Sequence, residues 1–286
     1  MGLNAALAGK VYQTRRFAVT AGAIRKYAEA TNEDNPRFVS DDPVAPPAFP
    51  FVAAMEPLQE VMLDPELGVD MAMLVHAEQD HRLLVPIQAG EEMQVSARLE
   101  AVDLADTGHS FTVGVTLTNG SGETAAEVLS RMLIRKTGTG AKVLFEEKAE
   151  KGEAVAQGES HVDEDQTFRY ADASGDHNPI HLDRQAARSS GFPGIVCHGM
   201  CTMAMASKVV LDGTAGGDPA RLRRIKVQFS RPVFPGQNLT TSVWRPVPGA
   251  PGEPGGTLFG FETVNPKGAV VIRNGLAVVA DPVAQG

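Results

Sequence analysis

The feature that most limits how this chain can fold is that it reads twice. Tyr27-Ala28-Glu29-Ala30-Thr31-Asn32-Glu33-Asp34-Asn35-Pro36-Arg37-Phe38 recurs as Tyr170-Ala171-Asp172-Ala173-Ser174-Gly175-Asp176-His177-Asn178-Pro179-Ile180-His181, with the shared residues 143 positions apart. Farther on, Pro86 and Gly90 return as Pro232 and Gly236, and Asn119 as Asn265, at a spacing of 146. The three-residue drift is a small insertion of the kind loops absorb. A doubled unit should build the same elements twice.

Each unit starts with a short amphipathic helix. Thr20 can cap one that carries Ile24, Tyr27, Ala28 and Thr31 on a single face. In the second copy Asp163 and Gln166 have capping-box spacing. After a loop comes an apolar helix, Phe51–Met62 in one copy and Met200–Leu211 in the other. The latter is apolar or small nearly all round, which predicts burial on every side. Strands close each unit. Phe111, Val113, Val115 and Leu117 alternate up to Asn119-Gly120, a hairpin signal, and Arg224–Phe229, Leu239–Trp244, Thr257–Glu262 and Val270–Val279 form the second set. The economical architecture is α+β, with two antiparallel sheets each wrapped around a central buried helix. Residues 1–136 and 159–286 form the two units, and 137–158, rich in Gly, Glu, Lys and Ala, reads as a linker.

The chemistry-bearing residues cluster in the second copy. Gly175-Asp176-His177-Asn178-Pro179-Ile180-His181 puts an acid, an amide and an imidazole within six positions, and His198-Gly199-Met200 opens the apolar helix. These are the parts needed to hold a water between two bases and to cradle a developing oxyanion at a helix start. Gly175 permits an unusual backbone and Pro179 pushes Asn178 towards extension, so Asp176 and His181 can converge across a bend. Each residue also has a plainer explanation: Asp176 as a cap or turn residue, His181 as a satisfied polar group, Gly199 as a point of tight packing. A metal is not expected, because no third ligand stands at a diagnostic spacing and Cys197-His198-x-x-Cys201 matches no known pattern.

Other classes recede on composition. A net charge of −9 offers no basic face for nucleic acid. The only two cysteines, Cys197 and Cys201, do not make a disulfide framework, which favours a reducing cytoplasm. The start, MGLNAALAGKVYQTRR, lacks signal-peptide character, and no run of about 18 apolar residues suggests a membrane span.

With these residues in view, the chain resembles the MaoC-like (R)-specific enoyl-CoA hydratases of the double hot-dog type. The resemblance rests on Tyr170, Gly175-Asp176-x-Asn178-Pro179-Ile180-His181, Phe192-Pro193-Gly194-Ile195-Val196-x-His198-Gly199-Met200 and Phe229-Ser230-Arg231-Pro232-Val233-Phe234-Pro235-Gly236. The first half matches more weakly, through Asn35-Pro36, Pro47-Ala48-Phe49-Pro50 and His76-Ala77-Glu78-Gln79.

The resemblance implies reversible addition of water to a trans-2-enoyl-CoA thioester, with no metal and no redox cofactor. Asp176 and His181 would grip the water, Asn178 would orient water or loop, and the Gly199 N–H would stabilise the oxyanion. Gly175, His198 and Met200 would shape the substrate site, His198 as a structural ring. Arg231 is the candidate for the coenzyme, with Arg223, Arg224, Lys208 and Arg188 behind it. In the first half Glu33 and Phe38 stand where Asp176 and His181 do, so that half is expected to be degenerate. Its interior, with Ala48, Ala53 and Ala54, would take the acyl tail. A homodimer is the expected assembly. The rivals are a dehydratase of acyl-carrier-protein substrates, a thioesterase and a catalytically quiet acyl-CoA-binding partner subunit.

Overall fold

The computed structural model describes residues 2–105, 108–135, 150–246 and 256–281. The first copy runs β1 (Arg15–Ala18), α1 (Ala21–Ala30), α2 (Pro36–Val39), α3 (Pro50–Met62), β2 (Leu74–Leu83), β3 (Glu92–Ala105), β4 (Gly108–Thr118) and β5 (Thr124–Ile134). The second runs β6 (Lys151–His161), α4 (Gln166–Ser174), α5 (Arg184–Ser189), α6 (Gly199–Ala215), β7 (Leu222–Phe229), β8 (Asn238–Pro246), β9 (Thr257–Val264) and β10 (Val270–Val279). The order of elements repeats, as the doubled sequence requires.

Local chemistry sets the helix ends. The Thr20 hydroxyl accepts the Ala23 N–H, and Ile24, Tyr27 and Ala28 bury one face of α1. Before α4, the Gln166 side chain reaches back to the Asp163 N–H at 3.1 Å, one arm of the expected box. The helix cap itself is Asp165. Helix α6 extends four residues beyond Leu211 and stops at Gly216, whose φ of 63° is left-handed.

The strands form one antiparallel sheet in the order β1-β3-β4-β5-β2-β7-β10-β9-β8-β6. The second five mirror the first five, and the two expected sheets join edge to edge along β2 and β7, as in a double hot-dog. Helix α3 packs on β3, β4 and β5, and α6 on β6, β7, β8 and β10. Tyr27 and Tyr170, the repeated tyrosines, are fully buried and meet with ring centroids 5.8 Å apart.

The β2–β7 seam pairs Glu78 with Gln228, Asp80 with Lys226 and Arg82 with Arg224. Across it, Arg224 grips Asp80 with two nitrogens, Nε at 3.0 Å from Oδ1 and Nη2 at 2.7 Å from Oδ2. Gln228 donates to Glu78 at 2.9 Å. Buried charge is tolerated there because each group has a partner.

Of the segment read as a linker, 137–149 lies outside the described residues, and 151–158 begins strand β6. Its apolar signal is weak because α6 lies very close: a Cβ on Gly158 would come within 2.9 Å of Val209, and one on Gly213 within 2.3 Å of the Ala156 Cβ. Only small residues fit. Among the described residues, no helix is long and apolar enough to cross a membrane.

Candidate active site

Helix α4 ends at Gly175, which adopts φ 78° and donates its N–H to Ala171. The chain then folds on its own side chains. Asp176 Oδ1 accepts the Asn178 N–H at 3.2 Å, and Asn178 Oδ1 accepts the Ile180 N–H at 3.3 Å, starting a 3-10 turn over Pro179–His181. That turn swings His181 back towards Asp176. His181 Nδ1 donates to the Val196 carbonyl at 2.7 Å, which leaves Nε2 as its lone-pair nitrogen. Burial lowers the His181 pKa, with the Asp176 charge opposing, so the ring is neutral and basic at physiological pH.

His198 stacks on His181 with centroids 3.8 Å apart, and its Nε2 donates to the Asp176 backbone carbonyl at 3.0 Å. Burial first, and then His181, hold it at about 3. A neutral ring bonded to the Asp176 carbonyl ties the start of α6 to this loop. Polar atoms of Asp176, His181 and His198 lie within 4.8 Å of one another. The fold thus supplies a third ligand-type residue that spacing had not suggested. It does not suit a metal. Two rings stacked at an interplanar angle of 29° cannot both point an in-plane lone pair at one ion within the roughly 2 Å reach of a metal–nitrogen bond.

Gly199 is the first residue of α6, a helix with no side-chain cap. Among the described residues no acceptor takes its N–H. A free donor on the positive end of a 17-residue helix suits a developing anion. A Cβ at Gly199 would stand 3.2 Å from the Phe229 ring, so glycine also permits the tight packing. Met200 is buried just behind.

Not every candidate joins this group. Asn178 is exposed and its side chain serves the loop. Arg231 is exposed, two residues beyond Phe229, and forms no ion pair among the described residues. Arg224 and Lys208 are committed elsewhere, to Asp80 and to Glu33 and Asp34. Ala48, Ala53 and Ala54 are packed into the core of the first half.

Two neighbours were missed. Phe229 covers Gly199, and His76 of β2 lies 5.0 Å from the Phe229 ring and 5.9 Å from that of Phe51. His76 feels the Asp176 charge, yet burial holds it at about 4. The only sequence signal for it was its place in His76-Ala77-Glu78-Gln79, which carries no indication of what it faces.

The matching corner of the first half lacks the imidazole and the helix-start N–H and turns its carboxylate to its own loop. Phe38 stands for His181, and Phe49 and Pro50 for His198 and Gly199, so the helix begins with a residue that has no N–H. Glu33 caps its own loop, accepting the Asp34 and Asn35 N–H groups at 3.0 Å. The Pro47 carbonyl, counterpart of Val196, accepts instead from His81 at 3.1 Å.

A MaoC-like domain model matches residues 146–247, and a FAS1-like dehydratase domain region matches 6–128. The chain is 32% identical over 217 residues to 3-hydroxyacyl-thioester dehydratase Y of Mycobacterium tuberculosis, covering 71% of this chain and 72% of the relative. The chain belongs to the MaoC-like dehydratase family. It is also 27% identical over 280 residues to a probable enoyl-CoA hydratase 2 of Dictyostelium discoideum, covering 94% of this chain and 90% of that one. A MaoC-like dehydratase crystal structure from Phytophthora capsici superposes with a TM-score of 0.82 over all of both chains at 23% identity, a likeness of fold. The MaoC-like match falls on the half that holds Asp176 and His181.

Proposed function

We propose that this MaoC-like chain is a hydro-lyase that reversibly adds water to trans-2-enoyl-CoA, giving the (R)-3-hydroxyacyl-CoA. The observation that carries the reading is the carboxylate of Asp176 and the imidazole of His181 lying together, beside the unclaimed N–H of Gly199. Water held between the two bases gives a proton to the pair as its oxygen bonds to C3. The pair returns one proton to C2 as the double bond becomes single. The thioester oxygen, charged in between, accepts from Gly199. Proton transfer of this kind is worth about 10²–10⁴-fold, and one such donor about 3–4 kcal/mol. No electrons are transferred overall, so the reaction calls for no redox carrier.

The relatives named enoyl-CoA hydratase and 3-hydroxyacyl-thioester dehydratase support this reaction class from both directions. Residues 1–136 serve as the degenerate half that meets the acyl tail and 159–286 as the catalytic half. Asn178 holds the loop, Gly175 sets its bend, His198 braces it and Met200 backs Gly199. Arg231 meets the coenzyme phosphates. The active species is a homodimer in the cytoplasm, which light scattering and cell fractionation test. The decisive assay follows loss of the conjugated enoyl thioester of crotonyl-CoA, with chiral analysis of the product. No turnover, or an (S) product, refutes the reading. The match to a FAS1-like dehydratase region favours a second reading, dehydration of acyl-carrier-protein thioesters. The ratio of kcat/KM on the two carriers separates them.

A further inference from the structure

The two halves offer an internal comparison that bears on which acyl groups fit. At the β-strand spacing of 146, Phe229 corresponds to Leu83 and His76 to Leu222, while the starts of α6 and α3 match Gly199 with Pro50. In the first half this corner is an open apolar pocket. Pro47, Pro50, Leu83, Val85, Ile87 and Leu222 line it, and it is a shallow, solvent-open depression of about 30 Å³. In the second half the same corner is occupied by rings. Phe229 packs on Gly199, the His76 imidazole meets Phe229 edge-on at 5.0 Å, and Phe51 stacks on the far side of His76 at 5.9 Å. Phe51 is almost wholly buried, so the stack is anchored on α3.

We infer that Phe229 and His76 form the end wall of the acyl pocket and restrict this chain to short enoyl thioesters. The inference rests on the hydratase reading above. On this inference the thioester oxygen sits at Gly199, beside the Phe229 ring, and carbons from C4 onward run against Phe229 and the His76 ring that packs on it. The imidazole is near enough to sense the Asp176 charge. Its Nε2 is shut off from solvent and has no hydrogen-bond partner among the described residues, so the wall presents ring faces and one unengaged nitrogen. A hydrocarbon chain longer than the gap has to displace two rings packed in series. A mismatch of even one methylene in such a pocket is worth about 10–200-fold in kcat/KM.

The test compares kcat/KM for the four-carbon and ten-carbon trans-2-enoyl-CoA substrates in the wild type and in Phe229→Leu, His76→Leu and the double variant, which restore the residues of the open corner. The wild type should favour four carbons by at least about tenfold. The substitutions should move that ratio towards ten carbons by about tenfold or more, chiefly through a lower KM for the long substrate. A role confined to folding would lower both substrates alike. Variants that fold and turn over crotonyl-CoA with the ratio within about twofold of wild type overturn the inference. If the variants do not fold, the wild type decides: equal turnover of both lengths, or equal inhibition by butyryl-CoA and decanoyl-CoA, overturns it. A wild type that hydrates neither substrate refutes the hydratase reading itself, and the wall with it.

Discussion

Replacing Asp176 by Asn and His181 by Gln, singly and together, separates catalysis from support. Asn keeps an oxygen that can accept the Asn178 N–H, the one side-chain bond Asp176 makes to its loop, so the Asp176→Asn fold should lose no more than about 0.5 kcal/mol. It removes the charge that helps grip the water, and kcat should fall about 10²–10⁴-fold, or about 3–5 kcal/mol. His181→Gln costs the fold more. It gives up the 2.7 Å bond to Val196, about 1 kcal/mol, and the stacking on His198, about 1 kcal/mol again. For a chain of this size about 2 kcal/mol lowers Tm by about 4–8 °C. The two variants should therefore be similarly inactive and differ in Tm. Because both groups act on one water, the double variant should be scarcely slower than either single. Crotonyl-CoA turnover and thermal melting by circular dichroism give both numbers. An Asp176→Asn enzyme within about threefold of wild type, or multiplicative losses in the double variant, would refute the shared-water argument.

Other outcomes follow from the same geometry. Gly199→Ala keeps the N–H but sets a methyl 3.2 Å from the Phe229 ring, so kcat should fall at least about tenfold as the donor shifts; unchanged kcat argues that Gly199 is there only for packing. The pH–rate profile on crotonyl-CoA should stay flat as pH falls through about 6.5 and break only below it, since burial lowers the His181 pKa and the ring must be neutral to accept a proton; a break at or above about 6.5 contradicts this. His81, fully buried and held at about 4, is protonated in the unfolded chain before the folded one, so stability falls as pH drops from about 6.5 to about 4 and then levels. That contribution is about 3 kcal/mol, so His81→Leu should make the fall of Tm with pH shallower across that window, while buried His76, His181 and His198 keep their own share of it. Gly213→Ala should lower Tm by several degrees, although alanine favours helices, because its Cβ would fall 2.3 Å from that of Ala156; a raised Tm would show that β6 can yield.

What the sequence made legible is whatever leaves a local or periodic trace. Thr20, the alternation ending at Asn119, the buried run after Gly199 and the bend at Gly175 each act within a few residues of chain, and each stands where it was expected. The repeat itself sets Glu33 against Asp176 and Phe38 against His181, so the absence of an imidazole from that place in the first copy is legible in the sequence. Features that depend on distant elements left no such trace. Strand β6 faces α6 with Ala156 and Gly158, residues chosen for smallness, so its pattern resembles a linker. His76 meets Phe229 only because β2 and β7 share the seam, and Asn178 caps an exposed turn from which only His181 reaches the interior.

The seam carries a consequence for how such a molecule must be built. Its local two-fold axis passes through Asp80 and Lys226, which stand opposite each other in the ladder and occupy equivalent places in the two copies. Two identical polypeptides meeting there would face a residue with itself, acid on acid or base on base. Tethering the copies removes that restriction, and an unlike pair can occupy the axis. Either half expressed alone and left to self-associate would bring like charges together at its centre, so mixing the separated halves should favour the hetero-pair over either homo-pair.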